Sequence, residues 1–145
     1  MEDDVRGSKI LMVDDSPDNL RLLTAVLKRG GLVARPVTSG KQAIKAAEAD
    51  PPDLVLLDMR MPEMSGLDVC RRFKQDERLR DIPIIFTSGL QSSEDKVEGF
   101  RAGAVDFISK PIVEEEVLAR VNTHLRLRHL EAKLLAYERQ LGLSK

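Results

Sequence analysis

The stretch Leu54-Val55-Leu56-Leu57-Asp58 constrains this chain more than any other. Four consecutive aliphatic residues leave no polar face. Such a run suits a short strand covered on both sides, as inside a parallel sheet flanked by helices. It ends in a carboxylate, and the following Met59-Arg60-Met61-Pro62-Glu63-Met64-Ser65-Gly66 carries a Pro and a Gly as turn signals. Asp58 therefore stands where a strand leaves its sheet. Ligands of open parallel sheets bind there, beyond the carboxyl ends of the strands.

The rest of the chain repeats this unit. Lys9-Ile10-Leu11-Met12-Val13 reads as a strand and ends in Asp14-Asp15. Ser16-Pro17 then opens a helix, with Ser as N-cap and Pro at the first helical position. Its apolar stripe is Leu20, Leu23, Val26 and Leu27, and Gly30-Gly31 stops it. Leu32-Val33-Ala34-Arg35-Pro36-Val37 is a second strand, placed at a sheet edge because proline cannot donate to a ladder. Ser39-Gly40 opens a helix over residues 41–49, and Pro51-Pro52 closes it. After the central strand a helix is expected over residues 67–75, with Leu67, Cys70 and Phe73 inward. Ile84-Ile85-Phe86 is another apolar strand, ending in Thr87-Ser88-Gly89.

Ser92-Ser93 followed by acids reads as a cap for a helix over residues 95–102. Its interior Gly99 costs about 1 kcal/mol relative to Ala, which marks the helix as weak by its own sequence. Val105-Asp106-Phe107-Ile108 is the last strand, followed by Ser109-Lys110-Pro111, and a helix runs from about residue 113 nearly to the end. Five alternations of strand and helix with short connections predict an α/β domain with a parallel sheet and right-handed crossovers.

Composition narrows the classes. A length of 145 residues suits one domain with a real core. A formal net charge of −1 removes the electrostatic case for direct nucleic-acid binding. The single cysteine, Cys70, excludes an intramolecular disulfide and fits a reducing compartment. No apolar run is long enough to span a bilayer and no signal-peptide pattern is visible, so a cytoplasmic location is expected.

The strand ends bring polar residues to one rim: Asp14-Asp15, Asp58, Ser88 and Lys110. Three crowded carboxylates repel one another, and a divalent cation relieves that. Mg²⁺ is the hard, oxygen-seeking choice. Acids, metal, hydroxyl and ammonium together are what phosphoryl transfer to a carboxylate requires.

These residues resemble a two-component response-regulator receiver domain. The resemblance rests on the Asp14-Asp15 pair, on Asp58 followed by Pro62 and Gly66, on Ile82-Pro83-Ile84-Ile85-Phe86-Thr87-Ser88, and on Phe107-Ile108-Ser109-Lys110-Pro111, in that order. It covers residues 9–125, leaving residues 1–8 as a flexible leader and 126–145 as a helical extension or linker. The resemblance implies a (βα)5 flavodoxin-like fold with strand order 2-1-3-4-5 and a cis peptide at Lys110-Pro111. It implies that Asp58 is the phosphoacceptor, for a histidine kinase or a phosphotransfer protein. It implies that Asp14, Asp15, Asp58 and the backbone carbonyl of Arg60 hold Mg²⁺, Asp14 mainly through water. Ser88 and Lys110 would hold phosphoryl oxygens, and Phe107 would turn with the state of Ser88. Such a domain is no general enzyme: it catalyses only its own phosphorylation and dephosphorylation. Ser88 stands where Thr is common, and Gly89 where Ala is common.

Other features carry blander readings. Ser39-Gly40-Lys41 lacks the upstream glycine spacing of a P-loop. His124 and His129 read as solvated residues of a charged helix, and Cys70 as core packing. Two other functional classes fit parts of the chain. One is a phosphatase with an aspartyl nucleophile, which would want a second acid where Arg60 stands. The other is an interaction module that keeps the fold without phosphorylation.

The last helix is longer than the domain needs. Val117, Val121 and Leu125 can pack on the sheet. Beyond them Leu127, Leu130, Leu134, Tyr137 and Leu141 recur at spacings of a coiled-coil seam. The pattern predicts a homodimer through this helix, or its continuation into an output module.

Overall fold

Successive residues of a strand face opposite sides of a sheet, so a strand buried throughout needs a layer on each side. The computed structural model of the protein describes residues 5–89 and 93–142. The strands are β1 (Lys9–Val13), β2 (Val33–Val37), β3 (Leu54–Asp58), β4 (Ile84–Ser88) and β5 (Asp106–Ser109). The helices are α1 (Pro17–Arg29), α2 (Gly40–Ala49), α3 (Gly66–Gln75), α4 (Ser93–Ala102) and α5 (Glu114–Gln140). All strand pairs are parallel, in the order β2-β1-β3-β4-β5. This is the doubly wound, flavodoxin-like arrangement with an extended last helix.

The two layers are written in the period-two pattern. Leu11, Val13, Val55, Leu57, Ile84, Phe86 and Phe107 face the layer of α2, α3 and α4, in a cluster with Ala43, Ile44, Ala47, Val69, Cys70 and Phe73. Ile10, Met12, Leu54, Leu56, Ile85 and Ile108 face α1 and α5, against Leu20, Leu23, Val26, Leu27, Val117, Val121 and Leu125. Each such aliphatic or aromatic side chain contributes about 1.5–3 kcal/mol when fully buried. β2 lies at an edge with Pro36 in it, as the missing donor requires.

Helix starts follow the local chemistry. Ser16 accepts from Asn19 N–H, with Pro17 in the first turn of α1, and Ser39 accepts from Gln42 N–H at α2. Ser65 and Asp68 form a reciprocal capping box at α3. α5 begins after Val113 without a side-chain cap, and three acids, Glu114, Glu115 and Glu116, complement its positive end instead. The start expected at Ser92 lies outside the described residues, and α4 is described from Ser93.

Some expectations shift. β5 lies one residue later than expected, at Asp106–Ser109. In α3, Leu67 is only half-buried, and Val69 joins Cys70 and Phe73 on the inner face. Part of the expected loose leader is docked: Val5 is buried, Gly7 N–H donates to the Gly31 carbonyl at 2.8 Å, and Val33 N–H donates to that of Ser8 at 2.9 Å. The Lys110-Pro111 peptide is cis.

Candidate functional site

Register assembles the rim. Val13 pairs with Leu57, so Asp14, one residue on, stands level with Asp58. Asp58 pairs with Thr87, which puts Ser88 one step further along the neighbouring strand. Ser88 pairs with Ser109, and Lys110 follows. Parallel neighbours lie about 4.8 Å apart, so residues far apart in sequence become near neighbours in space.

The geometry follows from that. One carboxylate oxygen from each of Asp14, Asp15 and Asp58 lies within 4.8 Å of the others. Asp14 and Asp58 are buried, at 2% and 5% exposure, whereas Asp15 is exposed. The Lys110 ammonium reaches between the two buried acids, 3.2 Å from Asp14 Oδ2 and 3.4 Å from Asp58 Oδ1. Burial pushes the Asp58 carboxyl up to about 6; Lys110 pulls against this, and the neighbouring Asp14 charge adds to it. An all-oxygen donor set, partly buried and crowded with negative charge, suits a hard divalent cation of the Mg²⁺ type.

Supporting contacts fix these groups. Ser16 N–H donates to Asp14 Oδ1 at 2.9 Å and Asn19 Nδ2 to Oδ2 at 3.3 Å. Asp14 is thus oriented by the first turn of α1. Arg60 N–H donates to Asp58 Oδ1 at 3.3 Å, and its guanidinium reaches Asp95 of α4 at 3.0 Å. Ser88 is buried, and its carbonyl accepts from Lys110 N–H at 2.9 Å, tying the ends of β4 and β5 together. Gly66 stands where a Cβ would collide with the Asp58 carbonyl oxygen and approach Met59 Cα to 2.9 Å. The Asp58 loop closes on α3 only because that position has no side chain. In the same loop Glu63 adopts a left-handed φ of 68°.

Of the residues expected at the site, Asp14, Asp15, Asp58, Lys110 and Ser88 converge on the rim. Phe107 does not belong to the polar cluster. It is buried below it, 5.6 Å centroid to centroid from Phe86 and 5.2 Å from Phe100. Asn19 and Gly66 were not singled out as site-building residues by sequence reasoning. Gly66 was legible as a turn signal and as part of the family pattern after Asp58, though not for the space it leaves, and no local pattern marks Asn19 as an Asp14 partner.

His124 departs from the solvated position expected of it. Its Nε2 lies 3.0 Å from Asp106 Oδ2, and Arg120 donates to the same carboxylate at 2.9 Å and 3.1 Å. Burial works against ionisation of Asp106, yet Phe107 N–H, His124 and Arg120 together hold its carboxyl below the usual range. A helical spacing of four, from Arg120 to His124, puts both on one face of α5; their partner on β5 was invisible without the fold. Cys70 is buried, as expected, with its thiol donating to the Ala102 carbonyl at 3.3 Å.

Comparison with known proteins agrees with this geometry. Residues 10–122 match the family described as the response regulator receiver domain. The response regulator PleD of Caulobacter vibrioides is 38% identical over 122 residues, which are 84% of this chain and 27% of PleD. The DNA-binding dual master transcriptional regulator RpaA of a Synechocystis species is 37% identical over 118 residues, 81% of this chain and 49% of RpaA. The chain thus spans less than half the length of either relative. Among solved structures, the signal receiver domain of a signal transduction histidine kinase from Syntrophus aciditrophicus superposes with a TM-score of 0.77 at 34% identity. That match covers 83% of this chain and 91% of the other.

Proposed function

The chain belongs to the response regulator receiver domain family of two-component systems, and from that premise we propose that it is a phosphorylation-operated switch whose acceptor is Asp58. The observation that carries this reading is the Lys110 ammonium held between the buried carboxylates of Asp14 and Asp58 at the sheet rim. The donor is a phosphohistidine of a histidine kinase or of a phosphotransfer protein. An Asp58 carboxylate oxygen attacks phosphorus in line, the P–N bond breaks, and the imidazole leaves and takes up a proton. Water attack on the acyl phosphate later returns the free carboxylate. The chain catalyses no other reaction in this reading.

Asp14, Asp15, Asp58 and the Arg60 backbone carbonyl would hold Mg²⁺, with Asp14 acting mainly through water. When bound, the ion supplies positive charge against the phosphoryl oxygens. Lys110 moves from its two acids toward those oxygens, and the Ser88 hydroxyl donates to another. The aromatic Phe107 follows Ser88, and the change passes to α4, β5 and α5. Asp58→Asn tests the acceptor: intact-mass spectrometry after incubation with acetyl phosphate and Mg²⁺ is expected to show the phosphorylated wild type and no labelled variant. Labelling of the variant at the wild-type level would exclude Asp58.

The exposed stripe of α5 supports a further element of this reading. Leu127, Leu130, Leu134, Tyr137 and Leu141 are 47–60% exposed. That seam pairs two protomers or leads into an output domain. A cytoplasmic location accompanies the reading as the usual one for this family; separately, no described helix is long and apolar enough to cross a membrane. The near-neutral charge supports signalling through protein contacts rather than through direct contact with nucleic acid.

A further inference from the structure

An interior helical glycine costs about 1 kcal/mol relative to Ala, so Gly99 needs a reason to stand inside α4. It is the one buried residue among those described in α4. A Cβ there would lie 2.5 Å from Phe107 Cζ, 3.2 Å from Phe107 Cε1 and 3.1 Å from Phe86 Cδ2. The space a side chain would fill is taken by the tip of the Phe107 ring. That ring is tilted 37° to Phe86 on its core side and stands nearly edge-on, at 72°, to Phe100 on its outer side. Phe86 is fully buried and Phe100 is 50% exposed, so the three rings run from the core to the surface of α4.

The same strand serves the rim. Lys110 follows Phe107 by three residues and is bonded through its backbone to Ser88. Toward the ends of α4 the ties are polar: Arg60 to Asp95 at one, and the Cys70 thiol to the Ala102 carbonyl at the other. The apolar contact at the middle of the helix is the ring in the glycine gap. Close-packed interiors do not compress, so a ring and a methyl cannot share this space.

We propose that Gly99 is a positioning residue of the switch: the gap it leaves in α4 seats the Phe107 ring, and this seating couples the Asp58–Lys110 rim to the exposed face of α4. The inference rests on Asp58 being a phosphoacceptor. With the gap filled, either the ring leaves or α4 is pushed off the sheet, and in both cases the two sites are uncoupled. A smaller side chain at position 107 restores the room.

The test is a double-mutant cycle on the full chain, with acetyl phosphate and Mg²⁺ as probe. Wild type, Gly99→Ala, Phe107→Leu and the double variant are compared in two readouts: the rate of Asp58 labelling, and the NMR contact between the position-107 side chain and the α-proton of residue 99. Gly99→Ala is expected to break the contact and change the labelling rate by about fivefold or more, a typical coupling. In the Phe107→Leu background the same change is expected to alter the rate by less than about twofold. Equal effects of Gly99→Ala in both backgrounds, or an unbroken contact with an unchanged rate, would overturn the proposal. A wild-type chain that takes no phosphoryl group overturns the underlying reading instead, whatever Gly99→Ala does to the ring.

Discussion

Asp58 meets two opposed demands. Its burial favours the neutral acid, while the proposed attack on phosphorus needs the carboxylate. With its carboxyl raised from 3.8 to about 6, the folded chain binds a proton more tightly than the unfolded one. Stability from this group is therefore fully present below about pH 4 and lost as pH rises through about 6. Comparison of wild type with Asp58→Asn isolates it from the other acids. The metal-free wild type is expected to lose melting temperature relative to the variant between pH 4 and 7, and Mg²⁺ to recover that loss above pH 6. Parallel melting curves at all pH values would contradict the raised acid. Lys110 competes for the same oxygens. Lys110→Ala is expected to bind Mg²⁺ more tightly by titration calorimetry, yet to be labelled roughly a hundredfold more slowly, the usual cost of losing one donor to a developing charge. At this scale the acids, the serine and the lysine were legible because each ends an apolar run. Asn19 and the partner of His124 were not, because each lies on a different element from the group it serves.

Helices differ in how they are held. α3 is fixed by a capping box and by Val69, Cys70 and Phe73, all buried. Phe73→Ala is expected to cost about 3–5 kcal/mol in denaturant unfolding, the range for emptying a buried aromatic site. Ser65→Ala is expected to cost about 1 kcal/mol by removing half of the box. α4 has no comparable anchor, with Gly99 alone buried and Val97 and Phe100 exposed. Sequence reasoning reads Gly99 as weakness. The structure adds what that weakness accommodates, a ring from another element. α4 thus combines low intrinsic stability with one specific seat, which suits the part it plays in the proposed switch.

For the whole molecule, α5 divides into two parts. Val117, Val121 and Leu125 complete one layer of the core, and beyond them the apolar residues face outward. A helix of about two heptads is marginal in water unless its stripe is covered. Removal of the residues after Leu125 is expected to leave the melting temperature of the domain within a few degrees. If the stripe pairs two protomers, the same cut halves the molar mass seen by light scattering. An unchanged mass would exclude pairing through this seam.

The sequence by itself determined the alternation of strands and helices, the two-sided burial of the sheet and the chemistry available at its rim. These follow from local pattern: apolar runs, caps and turn residues act over a few positions. Tertiary structure alone decided which of these groups touch. Register set Asp14 beside Asp58, and the packing of β5 on α4 and α5 gave Gly99 its ring and Asp106 its partners Arg120 and His124. The reason is physical: contacts between elements depend on how far each is shifted and rotated against its neighbour, which no short window of sequence encodes.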